Sequence, residues 1–194
     1  MAATLDAKGL TLVPQRNLGE AFVFERNGND IGLRRVTLDA ERHVERLARG
    51  SSVDEVKRAL VERLVAAGLY PKEAAAMVKT WNDSWFEPGL RVFYLEPVAQ
   101  VDELLPLEVK PAPRERVRVI VGRLELFAPE RVEPVRVAAL DAMRLPEAER
   151  LAALKKLLQR EGRFLDPILA IARLDEARAL LSSPLPNGER VAAE

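Results

Sequence analysis

Two helical segments joined by a short turn are the strongest constraint that this sequence places on its fold. Ser52 and Glu55 form the S-x-x-E pattern of a capping box, and apolar residues then recur at helical spacing. Pro71 suits the first position of a second helix, which we expect to run to Pro88-Gly89. The pattern therefore predicts a helical hairpin over residues 53 to 87.

Strand patterns lie on both sides of this helical hairpin. Before it, apolar residues alternate around the turn-forming run 27 to 30, which predicts a β-hairpin. After it, residues 90 to 95 are almost wholly apolar, as expected of a central strand that is covered on both faces. Residues 39 to 49 fit either a short helix or a loop. Four prolines between 97 and 113 predict a connection with one extended piece at 105 to 109.

The last strand pattern changes its inward face. The valines between 117 and 121 occupy odd positions, whereas beyond Gly122 the apolar residues begin with Leu124 and Leu126, at even positions. One inserted residue would produce this change, and a glycine makes the distortion inexpensive. The pattern therefore predicts a β-bulge at Gly122.

Proline and glycine divide the rest of the chain into helices. We expect helices that open at Pro134, at Pro146 and at Asp166-Pro167, the last one running to about Leu181. The elements together predict an α+β fold, in which an antiparallel sheet packs against the helical hairpin and a helical extension follows. The predicted organisation is an α+β domain, a helical extension and a mobile tail, over residues 10 to 127, 129 to 183 and 184 to 194.

Composition argues against several classes of function. Thirty basic residues cancel thirty acidic ones, so nucleic acid is not an expected partner. There is no cysteine, and His43 is the only histidine, which excludes thiolate and two-histidine metal sites. No apolar run approaches the roughly 20 residues that span a bilayer, and phosphate-binding glycine motifs are missing. We therefore expect no cofactor, no nucleic acid and no membrane insertion.

Residues 81 to 94 hold half of the ten aromatic residues and the candidate binding site. The six candidate residues are Trp81, Asp83, Trp85, Glu87, Arg91 and Tyr94. In a structural interpretation, the two indoles anchor the helical hairpin on the strand that follows. In a functional interpretation, the carboxylates and the arginine surround an aromatic-lined pocket at the corner between helix and strand. No residue is assigned a catalytic role.

Several short motifs resemble a segment of uncharacterised bacterial proteins that have no established activity. They are Gly68-Leu69-Tyr70-Pro71-Lys72-Glu73-Ala74, the block from Trp81 to Tyr94, Leu105-Pro106-Leu107 and Arg118-Val119-Ile120-Val121-Gly122-Arg123. In those proteins the segment follows an exported amino-terminal part, so the resemblance implies a cell-envelope location. The first eight residues lack a secretory signal pattern, which instead predicts a cytoplasmic location for the chain as given.

Two classes of function fit these observations. Because no catalytic motif occurs, we expect a non-enzymatic module that binds a protein partner or has a structural role. The alternative is a metal-independent hydrolase that uses the acidic, aromatic-lined pocket near residues 81 to 94. Amphipathic helices at the C-terminal end also predict self-association.

Overall fold

Antiparallel sheets and helices make up the structure, a computed structural model that describes residues 1–6 and 8–182. The predicted α+β class is confirmed. The chain divides into two compact units, Met1–Leu126 and Phe127–Glu194. The predicted mobile tail at 184 to 194 lies outside the described residues.

The first unit contains a five-stranded and a three-stranded sheet, and every strand pair in them is antiparallel. The strands are β1 (Ala2–Leu5), β2 (Gly9–Val13), β3 (Glu20–Asn27), β4 (Asp30–Thr37), β5 (Arg42–Glu45), β6 (Arg49–Ser51), β7 (Gly89–Leu95) and β8 (Val121–Leu126). The larger sheet has the order β6-β4-β3-β7-β8 and the smaller one β1-β2-β5. The predicted β-hairpin is β3 and β4, and the predicted central strand is β7, between β3 and β8.

Four helices belong to the same unit: α1 (Val53–Ala66), α2 (Pro71–Thr80), α3 (Asn82–Trp85) and α4 (Val98–Leu104). The capping box is present, because the Glu55 amide donates to Ser52 Oγ at 3.2 Å and the Ser52 amide to Glu55 Oε2 at 2.6 Å. The predicted start of α2 at Pro71 is also confirmed. The predicted end is wrong, since α2 stops at Thr80 and a separate short helix follows. Asn, Asp and Ser at 82 to 84 favour such a break, because their side chains compete for the backbone.

The larger sheet is buried on both faces. Phe22 and Phe24 of β3 point toward α1 and α2, whose side chains complete one apolar core. Ala21 and Val23 point the other way, into a second core with β2 and β5 of the smaller sheet. The predicted packing of sheet against helical hairpin is therefore correct, and it accounts for one of the two faces.

The predicted bulge at Gly122 is wrong. β8 pairs with β7 in one unbroken register, from Leu90↔Leu126 to Leu95↔Val121. The apolar side changes because both faces are covered: Val121 packs on the core with the helices and Leu124 on the core with the smaller sheet. Gly122 has another role, since a Cβ there would overlap the ring of Tyr94, its partner across the strands.

Two further segments differ from expectation. Residues 39 to 49, predicted as helix or loop, supply strand β5 and the first residue of β6. The proline-rich connection holds a helix, α4, because Pro97 at its N-cap suits a helix start, and the segment 105 to 109 is not a strand. There the Leu107 carbonyl accepts from a side chain, Arg116 Nη1, at 2.7 Å.

The described part of the second unit is helical. Its helices are α5 (Pro129–Arg144), α6 (Glu147–Glu161), α7 (Leu165–Ile171) and α8 (Asp175–Ser182). Pro146 caps α6 as expected, but Pro134 lies inside α5, which opens at Pro129. The single last helix predicted from Asp166 is two helices, because Arg173 takes a left-handed conformation (φ 56°) between them. In the residues that the structure describes, no helix is long and apolar enough to span a membrane.

Candidate functional site

The two tryptophans form one stacked pair with unequal exposure. Their ring centroids are 6.3 Å apart and their planes 9° apart. Trp85 is 7% exposed and packs edge-on or tilted against Phe86 and Phe93 in the core. Trp81, the C-cap of α2, is 51% exposed. Trp85 therefore anchors the segment, while Trp81 presents an indole to solvent.

Arg91 is fully buried and binds the segment that carries the tryptophans. Its guanidinium donates at 2.5 to 3.1 Å to three main-chain carbonyls, those of Trp85, Glu87 and Pro88. Its Nε donates to Glu125 Oε2 at 3.1 Å, and the guanidinium carbon lies 5.7 Å from the centre of the Phe24 ring. A buried arginine with this set of acceptors holds the backbone of the helix-to-strand corner.

Two more arginines complete this arrangement. Arg123 Nη1 donates to the Ser84 carbonyl at 2.7 Å, and Arg26 Nη1 donates to the Phe86 carbonyl at 2.6 Å. Glu125 links Arg91 to Arg123, whose Nε lies 3.0 Å from Glu125 Oε1. Every carbonyl from residue 84 to residue 88 therefore accepts from an arginine. We call Arg26, Arg91, Arg123 and these five carbonyls the arginine clasp.

The other candidate residues lie in different surroundings. Asp83 is exposed and accepts from Asn82 Nδ2 at 2.8 Å, and Glu87 is half-buried. Tyr94 packs on the core with the smaller sheet, whereas Arg91 points to the helices, because alternate residues of β7 face opposite ways. Burial raises the pKa of the Tyr94 hydroxyl, and the neighbouring Glu96 adds to this effect. The structure does not bring the six residues into one pocket.

A cavity of about 320 Å³ lies elsewhere in the first unit, at residues that the sequence did not single out. Its charged lining residues are Arg63, Glu96 and Arg118, and the apolar ones include Leu18, Ala67, Leu95, Pro97, Val98 and Val119. Two buried side-chain atoms of this lining, Arg63 Nε and Glu96 Oε2, have no hydrogen-bond partner. We call this cavity the Arg63 pocket.

Sequence reasoning could not have found the Arg63 pocket or the full clasp. Arg63 follows the ordinary pattern of charged residues on an amphipathic helix, and Glu96 follows a strand as many acidic residues do. Arg123 follows three other arginines, at 114, 116 and 118, and nothing in the sequence distinguishes it from them. No local signal shows that such side chains point inward.

Comparison of this chain with family models, curated proteins and solved structures finds no match. The resemblance of residues 20 to 127 to uncharacterised bacterial proteins stays a prediction. Among residues 1–6 and 8–182, no three His, Asp or Glu side chains form a group that could hold a metal ion.

Proposed function

We propose that the protein is a non-enzymatic interaction module that offers Trp81 to a protein partner. The observation that supports this is an indole that is 51% exposed yet fixed in position. It stacks on the buried Trp85, and the chain that follows it is held by the arginine clasp. Tryptophan is enriched among the residues that contribute most to binding between proteins.

Rigidity is what makes this indole a good binding group. A side chain that is already ordered loses little conformational entropy when a partner covers it, so more of the gain from burying the ring appears as affinity. The partner we expect has apolar side chains that cover the indole and an acceptor for its ring N–H.

No observation favours the alternative hydrolase. The carboxylate of Asp83 is exposed, and Tyr94 lies on the face of the sheet opposite to Arg91. Most of the donors of Arg91 are directed at main-chain carbonyls and Glu125, so this side chain builds the corner.

The test compares the wild-type chain with Trp81→Ala and with a matched control, Tyr70→Ala. Tyr70 is a second exposed aromatic residue, at 72%, and it lies at the opposite end of α2. Each purified protein is crosslinked in a native lysate, and the captured proteins are identified. A partner captured by wild type and Tyr70→Ala but lost with Trp81→Ala supports the proposal. Equal capture by all three contradicts it.

Self-association through the C-terminal helices stays a sequence-based prediction. Sedimentation velocity of the full chain over a wide range of concentrations tests it directly. A mass that remains that of one chain at every concentration would exclude it.

A further inference from the structure

We propose that two copies of this chain pair through the groove between α5 and α6. The groove is an open cavity of about 460 Å³ in the second unit, and its apolar lining residues are Ala138, Ala142, Leu145, Ala153 and Leu157. The inference is independent of the partner proposed for Trp81, because the groove and the indole belong to different units. It assigns a surface to the self-association that the sequence of the C-terminal helices predicts.

Small side chains lie at the centre of this groove. The two helices are antiparallel, because Arg131 near the start of α5 lies 3.9 Å from Glu161 at the end of α6. Ala138 lies seven residues before 145, and Ala153 lies seven residues after 146, so the two alanines are level with each other. Side chains of this size allow another helix to approach closely. The groove can therefore be covered by a second pair of helices.

Charged residues of opposite sign line the groove on either side of its centre. Asp141 lies three residues from Ala138, toward the turn between the helices, and Lys156 lies three residues from Ala153, away from that turn. At 1.5 Å per residue, each charge is about 4.5 Å along its helix from the level of the alanines. Arg160, one helical turn beyond Lys156, adds a second positive charge. The groove is therefore acidic at one end and basic at the other.

This distribution of charge is complementary to itself. A two-fold axis in the face of the groove, through its centre and perpendicular to the line from Asp141 to Lys156, places Asp141 of each chain against Lys156 of the other. The contact then forms twice, and each apolar floor covers the other. Asp141 and Arg160 are 62% and 59% exposed, so the ion pair that each forms within its own helix contributes little. A self-complementary surface favours a second copy of the chain over an unrelated partner.

The test measures the mass of the full chain by sedimentation velocity over a wide range of concentrations. We expect wild type to reach the mass of two chains. Asp141→Lys alone, and Lys156→Glu combined with Arg160→Glu, should each raise the dissociation constant of the pair by about tenfold or more, since each places like charges together at both contacts. Wild type that keeps the mass of one chain at every concentration would overturn the proposal.

Mixing these two variants tests the orientation of the pair. When the Asp141→Lys chain meets the chain with Lys156→Glu and Arg160→Glu, both contacts again join opposite charges. The mixture should therefore form pairs about as tightly as wild type, although neither variant does so alone. Variants that pair like wild type, or a mixture that pairs no better than its components, would place the association on another surface and overturn the proposal.

Two further variants complete the test. Gln159→Lys changes the charge of an exposed residue of α6 outside the groove and should pair like wild type. Ala138→Gln changes no charge but fills the centre of the groove with a polar group that would be buried without a partner, so it should weaken pairing by about tenfold. If a charge variant does not fold, Ala138→Gln decides, and wild-type pairing in it would contradict the proposed surface.

Discussion

Arginine side chains have opposite surroundings in the arginine clasp and in the Arg63 pocket. Arg91 is fully buried, and its donors meet three carbonyls and one carboxylate. Arg63 keeps one buried nitrogen without a hydrogen-bond acceptor, and the nearest carboxylate oxygen, Glu20 Oε2, lies 3.9 Å from it. A satisfied buried arginine stabilises a fold, whereas an unsatisfied one costs stability unless something else binds it. The contrast separates an arginine that stabilises the fold, Arg91, from one that adds little to its stability, Arg63.

Arg91→Met gives the largest expected effect. The change leaves three carbonyls without their donor and breaks the link to Glu125, so we expect a loss of about 3–5 kcal/mol in the free energy of unfolding. Urea unfolding measures it. The control is Arg35→Met, which removes exposed ion pairs and a cation–π contact with the Phe22 ring and should cost about 1 kcal/mol or less. Equal losses in the two variants would contradict the structural role assigned to Arg91.

Gly122→Ala tests the opposite face of the strand pair that carries Arg91. The new methyl group would overlap the Tyr94 ring, and overpacking of this kind costs about 1–3 kcal/mol. The same substitution in a Tyr94→Leu background should cost less, because the smaller side chain leaves room. A cost that is independent of residue 94 would mean that the ring is not the obstacle.

Arg63→Met should have a smaller effect on stability, of less than about 1 kcal/mol, because it removes a poorly paired group and keeps most of the aliphatic stem. The free energy of unfolding is the quantity to measure. A loss as large as that of Arg91→Met would assign Arg63 a structural role.

The smallest expected effect on stability comes from an exposed ion pair in the second unit, between Arg178 and Asp166. Arg178 binds Asp166 through two hydrogen bonds of 2.8 and 3.1 Å, and this holds the pKa of Asp166 below its usual value. Its stabilising effect is therefore complete above the unfolded pKa of about 3.9 and is lost as the pH falls through the lower folded pKa. Asp166→Asn should cost about 0.5 kcal/mol at neutral pH. In urea unfolding, a difference from wild type that persisted in strong acid would contradict this.

Local signals in the sequence predicted local structure correctly. The capping box at Ser52, the proline at 71 and the turn at 27 to 30 each act within a few residues, and all three appear in the structure. The smaller sheet was not predicted, because β2 pairs with β5 over more than thirty positions, as in Leu10↔Val44. The predicted bulge at Gly122 failed for a similar reason. The apolar residues change sides there because both faces of the sheet are covered by distant elements, and the sequence near Gly122 does not show this.

Contacts between distant segments were even harder to predict from the sequence for the site than for the fold. The sequence indicated that the tryptophan segment was unusual, and the structure places a stacked pair there. It could not indicate that Arg26 and Arg123, 60 and 39 positions away from the carbonyls they bind, would hold that segment. Nor could it bring residues 17 to 119 together around one cavity, since that depends on how distant elements pack.

The placement of both tryptophans in the first unit gives the molecule a built-in optical label. The chain has two tryptophans, at positions 81 and 85, so ultraviolet emission from indole reports on that unit alone. Circular dichroism, in contrast, receives a strong signal from the helices of the second unit. Because the helices of the first unit also contribute to circular dichroism, a transition that appears by that method but not in indole emission identifies melting of the second unit, without any chemical modification.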